Sequence, residues 1–204
     1  MNDELVRLIV KKIIEQLYND STAGKRLDIK ELSEAKPSFF SDEVIIGLGG
    51  SFSNDIFETI SGVSHYCLLK ELASGIEEEG IKPRFIRVLD TADAALIALS
   101  AAKLSGSGIG IGIQSKGTAA IHQISPFPSV NLELLSQATL ITSDIYRKIG
   151  KNAAKYAKGM LPEPVSVIND CAVRPKQQAK AALYDGKTEY FRKDAAPIEL
   201  TIEF

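Results

Sequence analysis

The chain has 204 residues, 45% of them hydrophobic and 25% charged, with a formal net charge of −2. That composition suits a globular protein with one good-sized core. The near-balance of charge offers no electrostatic footing for nucleic acid or an anionic membrane surface, and no apolar run approaches the roughly 20 residues of a membrane span.

Leu5, Ile9, Ile13 and Leu17 recur every four residues, with Leu8, Val10 and Ile14 widening the stripe, which predicts an amphipathic helix over residues 1–18. Charges interrupt its apolar residues, so it does not read as a secretory signal. Residues 19–41 are polar, lack a sustained period and read as a linker. The main domain is expected over residues 42–204. Cys67 and Cys171 are far apart and fit no metal or redox spacing, as expected of thiols in a reducing compartment.

Within that domain, EVIIGLGG (residues 43–50) is a β-branched run ending in glycines, as a buried strand entering a turn would be. A helix is expected over residues 64–79 and a strand at PRFIRVLD (residues 83–90). A second helix follows in TADAALIALSAAKLSG, with Thr91 as its N-cap. Next comes SGSGIGIGIQSKGT (residues 105–118), with glycines and isoleucines in strict alternation. As a strand it has one isoleucine face and one bare face. TAAIHQ (residues 118–123) is a further short strand. Helices are expected near residues 132–137 and over residues 143–158, the latter ended by Gly159. The Asp-Gly in KAALYDGKTEYF predicts a two-residue hairpin turn, and PIELTIEF a closing strand. The fold class is α/β: a Rossmann-like, mostly parallel sheet flanked by helices, with a C-terminal hairpin and the N-terminal helix on its linker.

Few motifs carry chemistry unaided. Gly47, Gly49 and Gly50 follow a strand, but the sixth position of a dinucleotide fingerprint starting at Gly47 is Phe52, and no P-loop pattern occurs. His65 and His122 fit no metal spacing and read as structural, and Glu77–Glu79 as a solvated helix end. No nucleophile–base constellation is evident. Three charged residues stand out. Lys116 follows the glycine strand at its carboxyl end, where open α/β sheets place ligands. Asp93 begins the preceding helix near another such end, where it serves equally well as a complement to the helix dipole. Arg174 lies in the non-periodic NDCAVRPK and reads equally as a surface arginine. Together they would offer one acceptor and two donors beside bare glycine backbone, suiting a wide, amide-fringed ligand better than a compact phosphate.

DEVIIGLGGSF, ELASGIEEEGIKPRFIRV, LSGSGIGIGIQSKGT, NLELLSQATL, YRKIGKNAAKYAKG and the ND-x-x-x-RPK-x-x-AKAAL pattern resemble the medium (β) subunit of adenosylcobalamin-dependent diol and glycerol dehydratases, from residue 42 to the C-terminus in one collinear order. The resemblance implies a Rossmann-like subunit assembled with large and small subunits as a dimer of heterotrimers, and adenosylcobalamin shared with the large subunit. Substrate, radical chemistry and a potassium or calcium site would lie on the large subunit, leaving no catalytic or metal-binding residue on this chain. It implies cofactor-binding roles for Asp93, Lys116 and Arg174, and secondarily for Ser115 and Thr118. It also implies that the bare glycine face admits either the cofactor or the large subunit.

Propanediol dehydratase is the leading activity the resemblance implies, with glycerol dehydratase as the alternative. GIEEEGI and GKNAAKYAKG also resemble the small, chaperone-like subunit of the dehydratase reactivating factor, but that subunit lacks the SGSGIGIGIQSKGT segment. The helix at residues 1–18 is similar to an extension of the diol enzymes that docks them to shell proteins of a propanediol-utilisation microcompartment in the bacterial cytoplasm. The reactivating factor is the other implied partner, with neither nucleic acid nor membrane.

Overall fold

A computed structural model describes residues 25–124, 130–135, 141–166, 174–191 and 193–204, with backbone alone at residues 130 and 174–176. The amphipathic helix expected at residues 1–18, residues 125–129 and Cys171 lie outside the described residues.

Seven strands form one sheet: β1 (Asp28–Glu34), β2 (Glu43–Gly49), β3 (Lys82–Val88), β4 (Ile109–Ile113), β5 (Ala119–Gln123), β6 (Val130–Leu135) and β7 (Ile198–Glu203), in the order β1-β7-β3-β2-β4-β5-β6. Four described helices flank it: α1 (His65–Glu78), α2 (Ala94–Leu104), α3 (Ser143–Ala157) and α4 (Arg174–Tyr190). The α/β class holds, but the sheet is mixed rather than mostly parallel. Only β3, β2 and β4 run parallel, joined through α1 and α2. The pairs β4–β5, β5–β6, β3–β7 and β1–β7 are antiparallel. Chain length explains the change, because a parallel crossover needs roughly a dozen residues and β4 reaches β5 within residues 114–118.

Three local expectations are corrected. Residues 28–34, expected in the linker, form edge strand β1, whose residues are exposed except Ile29. Its sequence carries no apolar alternation because pairing with β7 holds it, Ile29 opposite Ile202 and Lys30 opposite Thr201. The helix expected near residues 132–137 is instead strand β6. Glu133 and Leu135 are buried and Leu134 is exposed, a period of two. Buried Glu133 is satisfied across the core by Asn152 Nδ2 (2.8 Å), Tyr156 Oη (3.2 Å) and the Val165 amide (2.9 Å). The C-terminal hairpin is helix α4, which runs straight through Asp185–Gly186. Gln, Ala, Lys and Leu before the Asp-Gly favour helix and lack strand propensity.

The isoleucine face of β4 joins the larger core with Leu68, Leu72 and Ile76 of α1 and Tyr146, Ile149 and Ala153 of α3. Those two helices approach so closely that a Cβ on Gly75 would enter the Arg147 backbone, and one on Gly150 the Leu72 backbone. Glu78 and Glu79, expected to be merely solvated, clamp α1 to α3: Glu78 pairs with Lys151 (2.7 Å) and Arg147, and Glu79 with Lys158 (2.6 Å).

The bare face of β4 meets α2. A Cβ on Gly110 would fall within the backbone of Ala98 and Ala102, and one on Gly112 within that of Ala94 and Ala98. Glycine in a strand costs roughly 0.5–1 kcal/mol relative to alanine. Here it lets an alanine-faced helix lie directly on the sheet, with Ile97, Ala98 and Ala101 fully buried. The glycines of β4 therefore receive neither cofactor nor partner subunit; their space is filled from within the chain.

Candidate functional site

The carboxyl ends of β2, β3 and β4 share one edge of the sheet, and three loops leave it there: residues 50–53, 89–93 and 114–118. The loop QSKGT after β4 is held at every carbonyl. Gln114 O accepts from the Gly117 amide (2.8 Å), Ser115 O from His65 Nε2 (2.8 Å) and Lys116 O from the Ile60 amide (3.1 Å). Gly117 O accepts from Tyr146 Oη (2.7 Å) and Thr118 O from the Gln114 amide (3.0 Å). Gly117 has φ +99, and a Cβ there would strike Tyr146 Oη and Thr59, so no other residue fits. This loop is rigid by construction.

His65 makes the deepest tie. Its Nε2–H donates to Ser115 O, leaving Nδ1 to accept from the Ser53 amide (3.1 Å), and its ring stacks on Phe52 at 3.7 Å. Those bonds fix the neutral tautomer, and burial pulls the imidazole pKa down to about 3. Ser53, on the far side, has φ 54. The histidine is thus a structural strut between two loops, as its sequence context suggested. Arg87, 2% exposed, holds the turn after β2 by donating from Nη1 to the carbonyls of Gly49, Gly50 and Phe52 (3.0–3.3 Å), while its Nε lies 2.7 Å from Glu31.

Asp93 is exposed at the start of α2. Its Oδ1 caps the helix by accepting from the Ala95 (2.8 Å) and Leu96 (3.1 Å) amides. The N-cap is therefore Asp93, not Thr91, whose hydroxyl accepts from the Asp93 amide (3.1 Å). Gln114 Nε2 donates to Ala92 O, fastening the Lys116 loop to the Asp93 loop. Asp93 and Lys116 thus share this edge. Gln114 Oε1 and Thr118 Oγ1 are buried there without a hydrogen-bond partner. Ser115 is fully buried, and its hydroxyl lies 2.5 Å from Ser51, a contact that braces the loop from beneath.

Sequence reasoning missed α4 as part of this edge. Lys116 Nζ contacts Asp185 Oδ1 at 3.0 Å and Oδ2 at 3.2 Å. Thr188 donates to Tyr184 O (2.8 Å) and so accepts from Ser51 (2.7 Å), which in turn accepts from Ser115. Asp185 and Thr188 share one helix face with Ala181 and Tyr184, both partly buried. That i, i+3, i+4 stripe was the available signal, masked by the Asp-Gly pair. Arg174 is the first residue of α4, with its backbone alone described.

A family model for the dehydratase medium subunit matches residues 53–163, more than half of the chain. The chain belongs to the dehydratase medium subunit family. The matched span contains Asp93, Gln114, Lys116 and Thr118, whereas Arg174 and Asp185 fall outside it. The medium subunit is also similar to a solved structure described as a glycerol dehydratase reactivase, with a TM-score of 0.44 and 24% identity over 61% of this chain and 95% of that one. A medium subunit is part of a diol/glycerol dehydratase hydro-lyase and works with large and small subunits rather than alone. The family is generally adenosylcobalamin-dependent. Among the described residues, no group of three or more His, Cys, Asp or Glu could hold a metal ion, and no helix is long and apolar enough to cross a membrane.

Proposed function

We propose that this chain is the medium subunit of an adenosylcobalamin-dependent propanediol dehydratase and that its strand-end loops help the large subunit hold cobalamin. The observation that carries the reading is the QSKGT loop, hydrogen-bonded at every carbonyl, which presents Lys116 beside the Asp93 loop. The groups on this edge fit the ligand. Asp93 Oδ2, Gln114 Oε1 and Thr118 Oγ1 can accept, and Lys116 can donate. Corrin side chains end in primary amides, which donate and accept in the same mixture, whereas a bare phosphate would call for donors alone.

In this reading Asp93 accepts from a corrin amide N–H, while Lys116 and Arg174 donate to ligand oxygens. These are binding roles. The chemistry the bound cofactor supplies is the radical conversion of 1,2-propanediol to propionaldehyde and water, centred on the large subunit with its potassium or calcium site. The assembly is a dimer of heterotrimers, serviced by a reactivating factor, and residues 1–18 dock it to the shell of a propanediol-utilisation microcompartment.

Equilibrium dialysis of hydroxocobalamin against the reconstituted complex tests the site. Lys116→Ala with Arg174→Ala should weaken binding on the order of a hundredfold, the scale of two charge-assisted hydrogen bonds. Unchanged binding would sink the assignment. Initial rates on 1,2-propanediol and glycerol check the substrate.

A further inference from the structure

Lys116 does not meet its ligand as a bare cation. Both oxygens of Asp185 lie within 3.2 Å of its Nζ, and the two side chains are 23% and 54% exposed, so the pair sits at an open rim. The contact is built from both sides. The Lys116 backbone is locked by the Ile60 amide and its neighbours' carbonyl bonds. Asp185 is fixed one turn from Thr188, whose buried hydroxyl joins Ser51 and Ser115 beneath the same loop. An ammonium has three N–H donors, and one carboxylate takes at most two of them.

We infer that Asp185 is a positioning and specificity-determining residue: it neutralises Lys116 and reserves the remaining N–H for an uncharged amide carbonyl of the ligand rather than for an anion. The inference rests on the reading of Lys116 as a cobalamin contact. At a rim already carrying one positive and one negative charge, a carboxylate or phosphate gains little net Coulomb attraction and meets Asp185 as a like charge. A neutral carbonyl gains a charge-assisted hydrogen bond without that repulsion. Asp185 lies in α4, outside the span matched by the family model.

The test uses the assembled dehydratase and two kinds of probe: hydroxocobalamin, and its monocarboxylic derivatives, in which one peripheral amide at a time is replaced by a carboxylate. Dissociation constants come from equilibrium dialysis read by corrin absorbance. For the derivative altered at the amide facing Lys116, Asp185→Asn should improve binding relative to the parent by about fivefold, the scale of a half-exposed charge contact. Glu189→Gln, which removes a similar charge elsewhere on the exposed side of α4, should leave that ratio unchanged. The proposal is overturned if Asp185→Asn changes no ratio, if Glu189→Gln changes it equally, or if Asp185→Asn tightens the parent itself, which would make Asp185 a competitor of the ligand. Unchanged parent binding by Lys116→Ala would instead overturn the underlying contact, a separate outcome.

Discussion

Gly112 of β4 lies against Ala98 of α2 with no space for a side-chain carbon between them. The contact brings helix backbone directly onto strand backbone. It also sets the start of α2, and with it Asp93, beside the loop that follows β4.

Replacing Gly112 with alanine would force α2 off the sheet, since the new carbon would meet the helix backbone at Ala94 and Ala98. Overpacking of this kind costs about 1–3 kcal/mol or more. We expect Gly112→Ala to lie at or beyond the upper end, read as a lower midpoint in urea unfolding monitored by circular dichroism.

Gly186 gives the opposite result. It lies within α4, and a Cβ there would meet nothing within 4 Å. Gly186→Ala should stabilise the protein by about 0.5–1 kcal/mol, through helix propensity and a less flexible unfolded chain. A hairpin turn at Asp185–Gly186 would need positive φ at this position and would lose stability instead. The sign of the change in unfolding midpoint thus tests the helix.

His65 makes stability depend on acid. Its folded pKa, about 3, lies below the ordinary 6.5, so the unfolded chain binds the extra proton between those values. The contribution is fully present above pH 6.5 and is lost as pH falls toward 3, at up to about 1.4 kcal/mol per pH unit. His65→Gln should lower the unfolding midpoint at pH 7.5 and flatten its decline between pH 6 and 4.5. A slope equal to that of the unmodified protein would remove His65 as the cause.

Much of the fold was legible in local pattern. The buried run Glu43–Gly49, the periodic α1 and α3 and the closing strand β7 each carry a signal within a few residues of themselves. Position along the strands also put Lys116 and Asp93 at carboxyl ends. Edge strand β1 and helix α4 were not legible, for the same reason. In both, the local pattern misleads. β1 is held by Ile202 and Thr201, distant in sequence, and carries no alternation of its own. The helical stripe of α4 is masked by its Asp-Gly pair, while its contacts with Lys116 and Ser51 are long-range.

By itself, the sequence determined that β4 has one bare face, because alternation follows from strand geometry alone. What fills that face was decided only in the tertiary structure, where α2 supplies Ala94, Ala98 and Ala102. The same division holds at the rim. The lysine is written in QSKGT, but its pairing with Asp185 spans 69 positions and exists only because α4 folds back over the sheet edge. A periodic pattern records which way side chains point, whereas what they meet depends on how the chain returns.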